Sequence, residues 1–190
     1  MSVAGVSTEL AIPERWDDVV EALGTAGTKP SSCWCQRLIG SPPDGDRSGA
    51  LRRQLETATV PFGLIGRVDG RPVGWARVAP RSEIPGVLAN RALRRVLEPD
   101  PDAWWIACFT VRRAFRDRGV ARSLLRAAVG HAREHGGSAI EGHPVDVDAL
   151  TASKVSGSAL FTGTLRTFAA EGFSEIGRTY RSRPVMRLEL

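Results

Sequence analysis

The sequence has few cysteines, almost no lysine and no long hydrophobic run, and each shortage excludes a class of protein. Its three cysteines, Cys33, Cys35 and Cys108, are an odd number, and Cys108 lies inside an apolar segment, so a disulfide framework is not expected. No segment approaches the roughly 20 apolar residues that cross a bilayer, and the N-terminus lacks the basic start and apolar stretch of a secretion signal. We therefore expect a cytoplasmic protein without membrane contact.

Lysine occurs only at Lys29 and Lys154, so the net charge of +5 comes almost entirely from arginine. Such a balance favours an anionic partner, and both nucleic acid and a polyphosphorylated cofactor are candidates. A general arginine bias would explain the total charge equally well, so the position of the arginines must decide. No second Cys or His pair at ligand spacing accompanies Cys33 and Cys35, and no metal site is predicted.

The chain length of 190 residues and a hydrophobic content of 42% suit one domain with one sizeable core, so we expect residues 1–190 to form a single domain. The hydrophobic periodicity and the turn signals predict alternating strands and helices. The predicted strands are 8–12, 62–68, 72–78, 103–111, 138–145, 173–180 and 184–190, and the predicted helices are 13–24, 48–59, 90–97, 120–135 and 160–170.

These elements predict a mixed α/β fold. Strands 62–68 and 72–78 are joined by Asp69-Gly70, a dipeptide typical of tight hairpin turns, so they should be antiparallel neighbours. Strand 103–111, helix 120–135 and strand 138–145 instead imply a parallel crossover. The expected architecture is a mostly antiparallel twisted sheet with a central parallel strand pair, flanked by helices.

An arginine-rich turn connects strand 103–111 to the following helix. In VRRAFRDRGVARSLL, residues 111–125, Arg116, Gly119 and Ala121 have the spacing R-x-x-G-x-A. A glycine lets backbone amides turn toward a ligand, an alanine keeps the next helical turn thin, and the helix N-terminus adds unpaired N–H groups and partial positive charge. The segment therefore predicts a cradle for a pyrophosphate, although an arginine-rich loop that merely caps a helix would have the same pattern.

This turn, its strand and helix context, and the ending AAEGF at residues 169–173 together resemble the GNAT superfamily of N-acetyltransferases over nearly the whole chain. The C-W-C segment at residues 33–35 and E-x-x-P-V-D at residues 141–146 resemble a bacterial subgroup of it. The resemblance implies the GNAT fold and acetyl-CoA as acyl donor. It implies donor-binding roles for Phe109, Thr110, Val111, Arg116, Asp117, Arg118, Gly119, Val120, Ala121, Arg122, Ser123 and Phe168.

The catalytic residues are less evident from the sequence. In many GNAT enzymes a tyrosine four residues before the glycine of the x-G-F ending acts as the general acid. That position is Phe168 here. Glu141 and His143 alternate along the next strand and are the predicted proton acceptors, acting through water. They are equally readable as a rim carboxylate and a surface histidine. Cys108 could carry an acetyl group, but a cysteine in an apolar strand is usually a small buried hydrophobe.

The predicted function is therefore transfer of an acetyl group from acetyl-CoA to a primary amine of a small molecule, by direct attack in a ternary complex. Two alternatives remain open: a non-catalytic sensor that binds acyl-CoA, and an acetyltransferase that acts on a protein or peptide amine. Nucleic-acid binding through the arginines ranks last, because no aromatic and basic recognition module is visible. We expect a monomer or a homodimer.

Overall fold

The computed structural model describes residues 5–24, 33–34, 36–150 and 157–190. Within these ranges the chain forms seven strands and five α-helices, joined by short 3-10 turns. The strands are β1 (Val6–Ala11), β2 (Gly63–Val68), β3 (Arg71–Pro80), β4 (Trp104–Val111), β5 (Ala139–Gly142), β6 (Ser174–Tyr180) and β7 (Arg183–Glu189). The helices are α1 (Trp16–Leu23), α2 (Arg47–Thr57), α3 (Pro85–Leu88), α4 (Val120–Glu134) and α5 (Leu165–Ala169).

The strands form one sheet in the order β1-β2-β3-β4-β5-β7-β6. Every neighbouring pair is antiparallel except β4 and β5, which are parallel and connected through α4. The predicted mixed α/β fold with a central parallel pair is confirmed. The hairpin of β2 and β3 turns at Asp69 and Gly70, whose φ angles of 50° and 79° are the positive values that a tight hairpin requires.

Two hydrophobic clusters cover the two faces of the sheet. The first joins α4 to one face through residues such as Leu124 and Ile140, and the second joins α1 and α2 to the other face through residues such as Val19 and Leu51. Trp104 and Trp105 are both buried, one in each cluster, as the alternation of side chains along a strand requires. Neither tryptophan therefore points at solvent.

Several predicted elements differ from those observed. The strand predicted over 138–145 ends at Gly142, two residues before Pro144, which has no N–H to offer a sheet. The helix predicted over 160–170 contains only α5, because residues 157–162 form a 3-10 turn. The helix predicted over 90–97 is a 3-10 turn at Leu93–Arg95, preceded by α3. No helix among the described residues is long and apolar enough to cross a bilayer.

Two of the cysteines fall within the described ranges. Cys33 is exposed and free, whereas Cys108 is buried and disulfide-bonded. The interpretation of Cys108 as a small buried residue is confirmed, but its sulfur is bonded although no disulfide framework was expected, so it is not available to carry an acetyl group. The predicted C-W-C segment includes Cys35, which lies outside the described residues. Trp34 is buried and stacks on Trp16 with 5.8 Å between the ring centroids.

Candidate active site

The parallel strands β4 and β5 pair over a short length and then separate. Their register joins Trp104 to Ile140 and Ile106 to Gly142, after which β5 ends while β4 continues to Val111. The antiparallel partner β3 pairs Arg77 with Cys108 and Val78 with Ile106, so Ala107 is an extra residue in β4. Such a β-bulge bends a strand and increases its twist. The second half of β4 therefore has one side without a strand partner.

The bulge also determines which side chains face each cluster. Ile106 and Phe109 belong to the α4 face, whereas Ala107 and Cys108 both belong to the opposite face. Beyond the bulge, the N–H of Arg112 donates to the carbonyl of Val73 at 2.8 Å. Because bonding alternates along an antiparallel ladder, the N–H groups of Phe109 and Val111 point away from β3, toward the side that β5 has left.

A cavity of about 390 Å³ occupies this opening. Nine of the residues predicted to bind the donor line it: Phe109, Thr110, Val111, Arg116, Asp117, Gly119, Val120, Ala121 and Arg122. The cavity lining also includes residues that the sequence reasoning missed, namely Phe115, Leu160, Phe161, Gly163, Thr164 and Thr167. Five of these six residues lie in the segment that runs from the 3-10 turn at Gly157–Thr162 through α5. They carry no motif, so no local signal identified them.

The N-terminus of α4 opens into the cavity. Gly119 is its N-cap in the left-handed region, with φ of 79°, and no side chain caps the helix. The first internal helical bond runs from the N–H of Ser123 to the carbonyl of Gly119 at 2.9 Å. The three preceding amides, Val120 to Arg122, have no acceptor within the helix and carry the positive end of its dipole. This arrangement suits a phosphate or pyrophosphate.

Two glycines in the sheet set how closely α4 approaches. A Cβ atom added at Gly66 would lie 2.9 Å from Cγ1 of Val120, and one added at Gly74 would lie 2.8 Å from the same atom. Real Cβ contacts are longer than this, so only glycine allows the first turn of α4 to pack directly on β2 and β3. The position of the N-terminus of α4 therefore depends on residues that are far from it in the sequence.

Three residues predicted to bind the donor do not line the cavity. The N–H group of Ser123 already donates to the carbonyl of Gly119 within the helix. Arg118 extends over the ring of Phe115, with its guanidinium carbon 5.5 Å from the ring centroid. Phe168 is fully buried, edge-on to Phe109 with 6.1 Å between the ring centroids. Phe168 therefore supports the cavity wall from behind.

Acidic residues hold part of the arginine cluster. Arg122 and Arg126 both bind Glu171, the latter at 2.6 Å, and Arg112 lies 3.3 Å from Glu21. Burial alone would raise the pKa of Glu171, but hydrogen bonds from Arg126 and Arg122 hold it below its usual value. Arg116 donates from Nε to the carbonyl of Val111 at 3.4 Å, at the edge of the cavity. The positive charge at the cavity mouth is thus partly neutralised.

Glu141 lies outside the cavity, in a buried ion-pair network. Its two carboxylate oxygens accept from Nη1 of Arg81 and Nη1 of Arg187, each at 2.8 Å, and its side chain is 0% exposed. Arg187 also binds Asp100 at 2.7 Å. Both oxygens of the predicted proton acceptor are therefore engaged by guanidinium groups, and the residue does not belong to the cavity lining.

His143 follows β5 and also lies outside the cavity lining. Its Nε2 is 2.7 Å from Oγ1 of Thr179, and Arg183 donates to its carbonyl at 3.4 Å. Burial, together with the charge of Arg183, lowers the pKa of His143 to about 4. The imidazole is therefore neutral near pH 7, and neither Glu141 nor His143 lines the cavity.

A metal site is not formed by the residues that the structure describes: they contain no group of three or more His, Cys, Asp or Glu side chains that could hold an ion.

The comparison with protein families gives one match. Residues 32–152 match the sequence model of the acetyltransferase (GNAT) family, which is more than half of the chain. No curated protein matches the sequence significantly.

Solved structures of low sequence identity share the fold. The GNAT domain of S. lividans PAT superposes with a TM-score of 0.59 at 15% identity, covering 97% of this chain and 90% of that one. A GCN5-related N-acetyltransferase from Kribbella flavida gives 0.57 at 17% identity, with 100% of both chains covered. AAC(6')-Ib, solved with paromomycin and acetyl-CoA, gives 0.57 at 17% identity and covers 97% of this chain and 93% of its own.

Proposed function

The chain belongs to the acetyltransferase (GNAT) family, and we propose that it transfers an acetyl group from acetyl-CoA to the primary amine of a small molecule. The neighbour AAC(6')-Ib was solved with an acetyl donor and with paromomycin, an amine, which supports both halves of the proposal. We also propose that residues 1–190 form one domain, since the family match and both hydrophobic clusters run through most of the chain.

The donor would lie along the opening beside β4. The amides at the start of α4, with Gly119 and Ala121 beside them, would bind the pyrophosphate, and Arg116 and Arg122 would add charge. The N–H groups of Phe109 and Val111 would pair with the amide-rich arm of the coenzyme, in place of the missing strand partner. This pairing would direct the thioester between β4 and the segment around Gly163.

The reaction itself requires an uncharged amine close to the thioester carbonyl. The amine nitrogen forms a bond to the acetyl carbon, the C–S bond breaks, and the thiolate of coenzyme A takes a proton while the new amide loses one. A backbone N–H of β4 would stabilise the oxyanion that develops on the carbonyl oxygen. Because Glu141 is bound by two arginines and His143 is a weak base, most of the acceleration would come from alignment of the two substrates.

One observation carries the proposal: the uncapped N-terminus of α4 opens into a cavity that follows the unpaired side of β4. The experiment is release of free thiol from acetyl-CoA in the presence of a panel of amines, with calorimetry of acetyl-CoA binding. We expect saturable acetyl-CoA binding and amine-dependent thiol release. Absence of any acetyl-CoA binding would exclude the function.

A second candidate function is a sensor that binds acyl-CoA without turnover. This function is favoured by Phe168, which occupies the position where many family members have a tyrosine that acts as the general acid. Phe168 is buried and has no hydroxyl group to donate a proton. The same experiment separates the two functions. Tight binding without amine-dependent thiol release supports the sensor, whereas acetylation of one amine at an enzyme-like rate excludes it. A panel that includes peptides tests whether the acceptor amine belongs to a protein.

A further inference from the structure

We infer that Phe168 limits the length of the acyl group, so that the donor site takes acetyl-CoA in preference to coenzyme A thioesters with longer chains. The inference rests on the proposed function, because it concerns the acyl end of the donor whose pyrophosphate is proposed to lie at α4. It gives Phe168 a steric role instead of the donor contact that the sequence predicted.

The ring of Phe168 lies at the point where β4 and β5 separate. Gly142 is the last residue of β5 and pairs with Ile106 of β4. A Cβ atom added at Gly142 would lie 2.5 Å from Cε1 and 2.8 Å from Cζ of Phe168. Real Cβ contacts are longer than this, so the ring occupies the space that a side chain at the end of β5 would need.

The opposite edge of the ring borders the cavity. A Cβ atom added at Gly163, which lines the cavity, would lie 3.0 Å from Cε2 of Phe168. Phe109 also lines the cavity, and its ring centroid is 6.1 Å from that of Phe168, with an angle of 83° between the ring planes. Because Gly163 has no side chain to separate ring and cavity, Phe168 stands directly behind this part of the wall, although its own exposure is 0%.

Phe168 is held in this position by its neighbours. Phe173 contacts it with 4.9 Å between the ring centroids, and both side chains are buried. In the proposed donor position the thioester lies between β4 and the segment around Gly163, so the acyl group meets Phe109, Gly163 and Phe168. An acetyl group ends in a methyl group, whereas each additional methylene would press on a closely packed wall that yields only at a cost in free energy.

The experiment measures the binding of coenzyme A and of its acetyl, butyryl and hexanoyl thioesters by calorimetry. It needs no acceptor amine, so it is independent of the identity of that substrate. For the parent protein, we expect acetyl-CoA to bind at least about tenfold more tightly than hexanoyl-CoA, because overpacking of a buried wall has a cost of that order. Butyryl-CoA should lie between the two, and coenzyme A alone gives the affinity of the part that all donors share.

Phe168→Ala should remove this discrimination, and Phe168→Leu should reduce it. Both variants shorten the side chain beside Gly163 and open an apolar space, and such a space binds apolar groups. The readout is the ratio of the dissociation constants of hexanoyl-CoA and acetyl-CoA. We expect this ratio to fall at least about tenfold in Phe168→Ala, since burial of each methylene group contributes about fourfold to affinity. A purely structural role of Phe168 would weaken the binding of both thioesters equally and leave the ratio unchanged.

Phe173→Leu is the matched control. It makes the same change as Phe168→Leu in a buried phenylalanine that contacts Phe168, but Phe173 does not belong to the cavity lining. We expect this variant to keep the ratio of the parent. Phe168→Leu, beside this control, decides the matter if Phe168→Ala does not fold.

Three results would overturn the inference: a parent protein that binds hexanoyl-CoA as tightly as acetyl-CoA, a ratio that folded variants of Phe168 do not lower, or a ratio that Phe173→Leu lowers as much as Phe168→Leu does. Each of these results leaves the binding of acetyl-CoA to the parent intact. Failure of the proposed function appears differently, as a parent protein that binds no coenzyme A species.

Discussion

At the scale of single residues, the site depends on Gly119. Its φ of 79° belongs to the left-handed region, which glycine enters without a steric penalty and which other residues rarely adopt. The residue ends the turn after β4 and begins α4, so its conformation aims the free amides of the helix at the cavity. A side chain here would both strain the backbone and project near the proposed phosphate position.

The variant Gly119→Glu tests this role. We expect the affinity for acetyl-CoA to fall by at least about tenfold, because the new carboxylate repels the pyrophosphate and competes for the amides. Calorimetry measures the affinity. Gly136→Glu is the matched control: Gly136 also has a positive φ, 74°, but lies after α4 with open space around its Cβ position. Equal affinity in the two variants would contradict the location of the pyrophosphate site.

His143 offers a prediction on pH dependence. Its pKa in the folded state is about 4, against about 6.5 in an unfolded chain, because burial and Arg183 disfavour the imidazolium. Between these values the unfolded state binds more protons, so the free energy of unfolding decreases as the pH falls from 6.5 to 4. The contribution of His143 to this loss reaches roughly 3 kcal/mol at most.

The measurement is urea unfolding of the parent and of His143→Gln at several pH values from 7.5 to 4.5. We expect the variant to lose less stability than the parent across this range. A His143→Gln profile parallel to that of the parent would show that the buried imidazole does not titrate as described.

At the scale of secondary structure, the close packing of α4 on β2 and β3 positions the free amides at the start of the helix. Gly66 and Gly74 leave room for Val120, the first residue of α4. The bulge at Ala107 bends β4 away from β5 on the other side of the same cavity. The bulge in β4 therefore produces the opening between β4 and β5, whereas β2 and β3 determine how closely α4 approaches. Both features are needed for a donor site.

The variant Gly74→Ala should disturb this packing. The added methyl group would lie 2.8 Å from Cγ1 of Val120, so we expect a loss of about 1–3 kcal/mol in the free energy of unfolding and weaker acetyl-CoA binding. Gly130→Ala is the control, since Gly130 lies inside α4 with open space at its Cβ position. That change should stabilise the protein by about 0.5–1 kcal/mol. Chemical unfolding of both variants tests the prediction. A Gly74→Ala variant with the same free energy of unfolding as the parent would refute it.

At the scale of the whole molecule, a buried ion-pair network joins segments that are distant in the chain. Arg81 follows β3, Glu141 lies in β5, Arg187 in β7, and Asp100 precedes β4. Arg81 also donates to the carbonyls of Glu98 and Asp100, at 2.8 and 2.9 Å. The network therefore ties the long connection between β3 and β4 to the strands on both sides of the opening.

Glu141→Gln should destabilise the fold by about 3–5 kcal/mol, because it leaves two buried guanidinium groups without their shared counter-charge. Glu189→Gln is the matched control: it removes a partner of the same Arg187, but its side chain is 73% exposed, and we expect a loss below about 1 kcal/mol. Thermal or chemical unfolding measures both. The rate of acetyl transfer is then measured under conditions where Glu141→Gln is fully folded. A large loss of rate relative to the parent would give Glu141 the catalytic role that the sequence predicted.

The sequence alone determined the seven strands in their order along the chain, the helices α1, α2 and α4, the hairpin at Asp69-Gly70 and the turn at Gly119. These features depend on local preferences, on periodicity and on a glycine that a tight turn requires, all of which are visible within short segments. The family resemblance drawn from those segments agrees with the match over residues 32–152. Nine of the twelve residues predicted to bind acetyl-CoA line the cavity. They could be predicted because they lie close together in the sequence, around the single turn between β4 and α4.

Tertiary structure alone decided the rest. Phe161 and Thr164 reach the cavity because β5 ends early and the chain returns through a 3-10 turn, which no local pattern indicated. Glu141 is an ion-pair partner instead of a cavity residue because Arg81 and Arg187 approach it from β3 and β7. Contacts between segments that are tens of residues apart depend on the packing of the whole sheet. The local sequence of a strand therefore does not show which side chains from other strands will contact it.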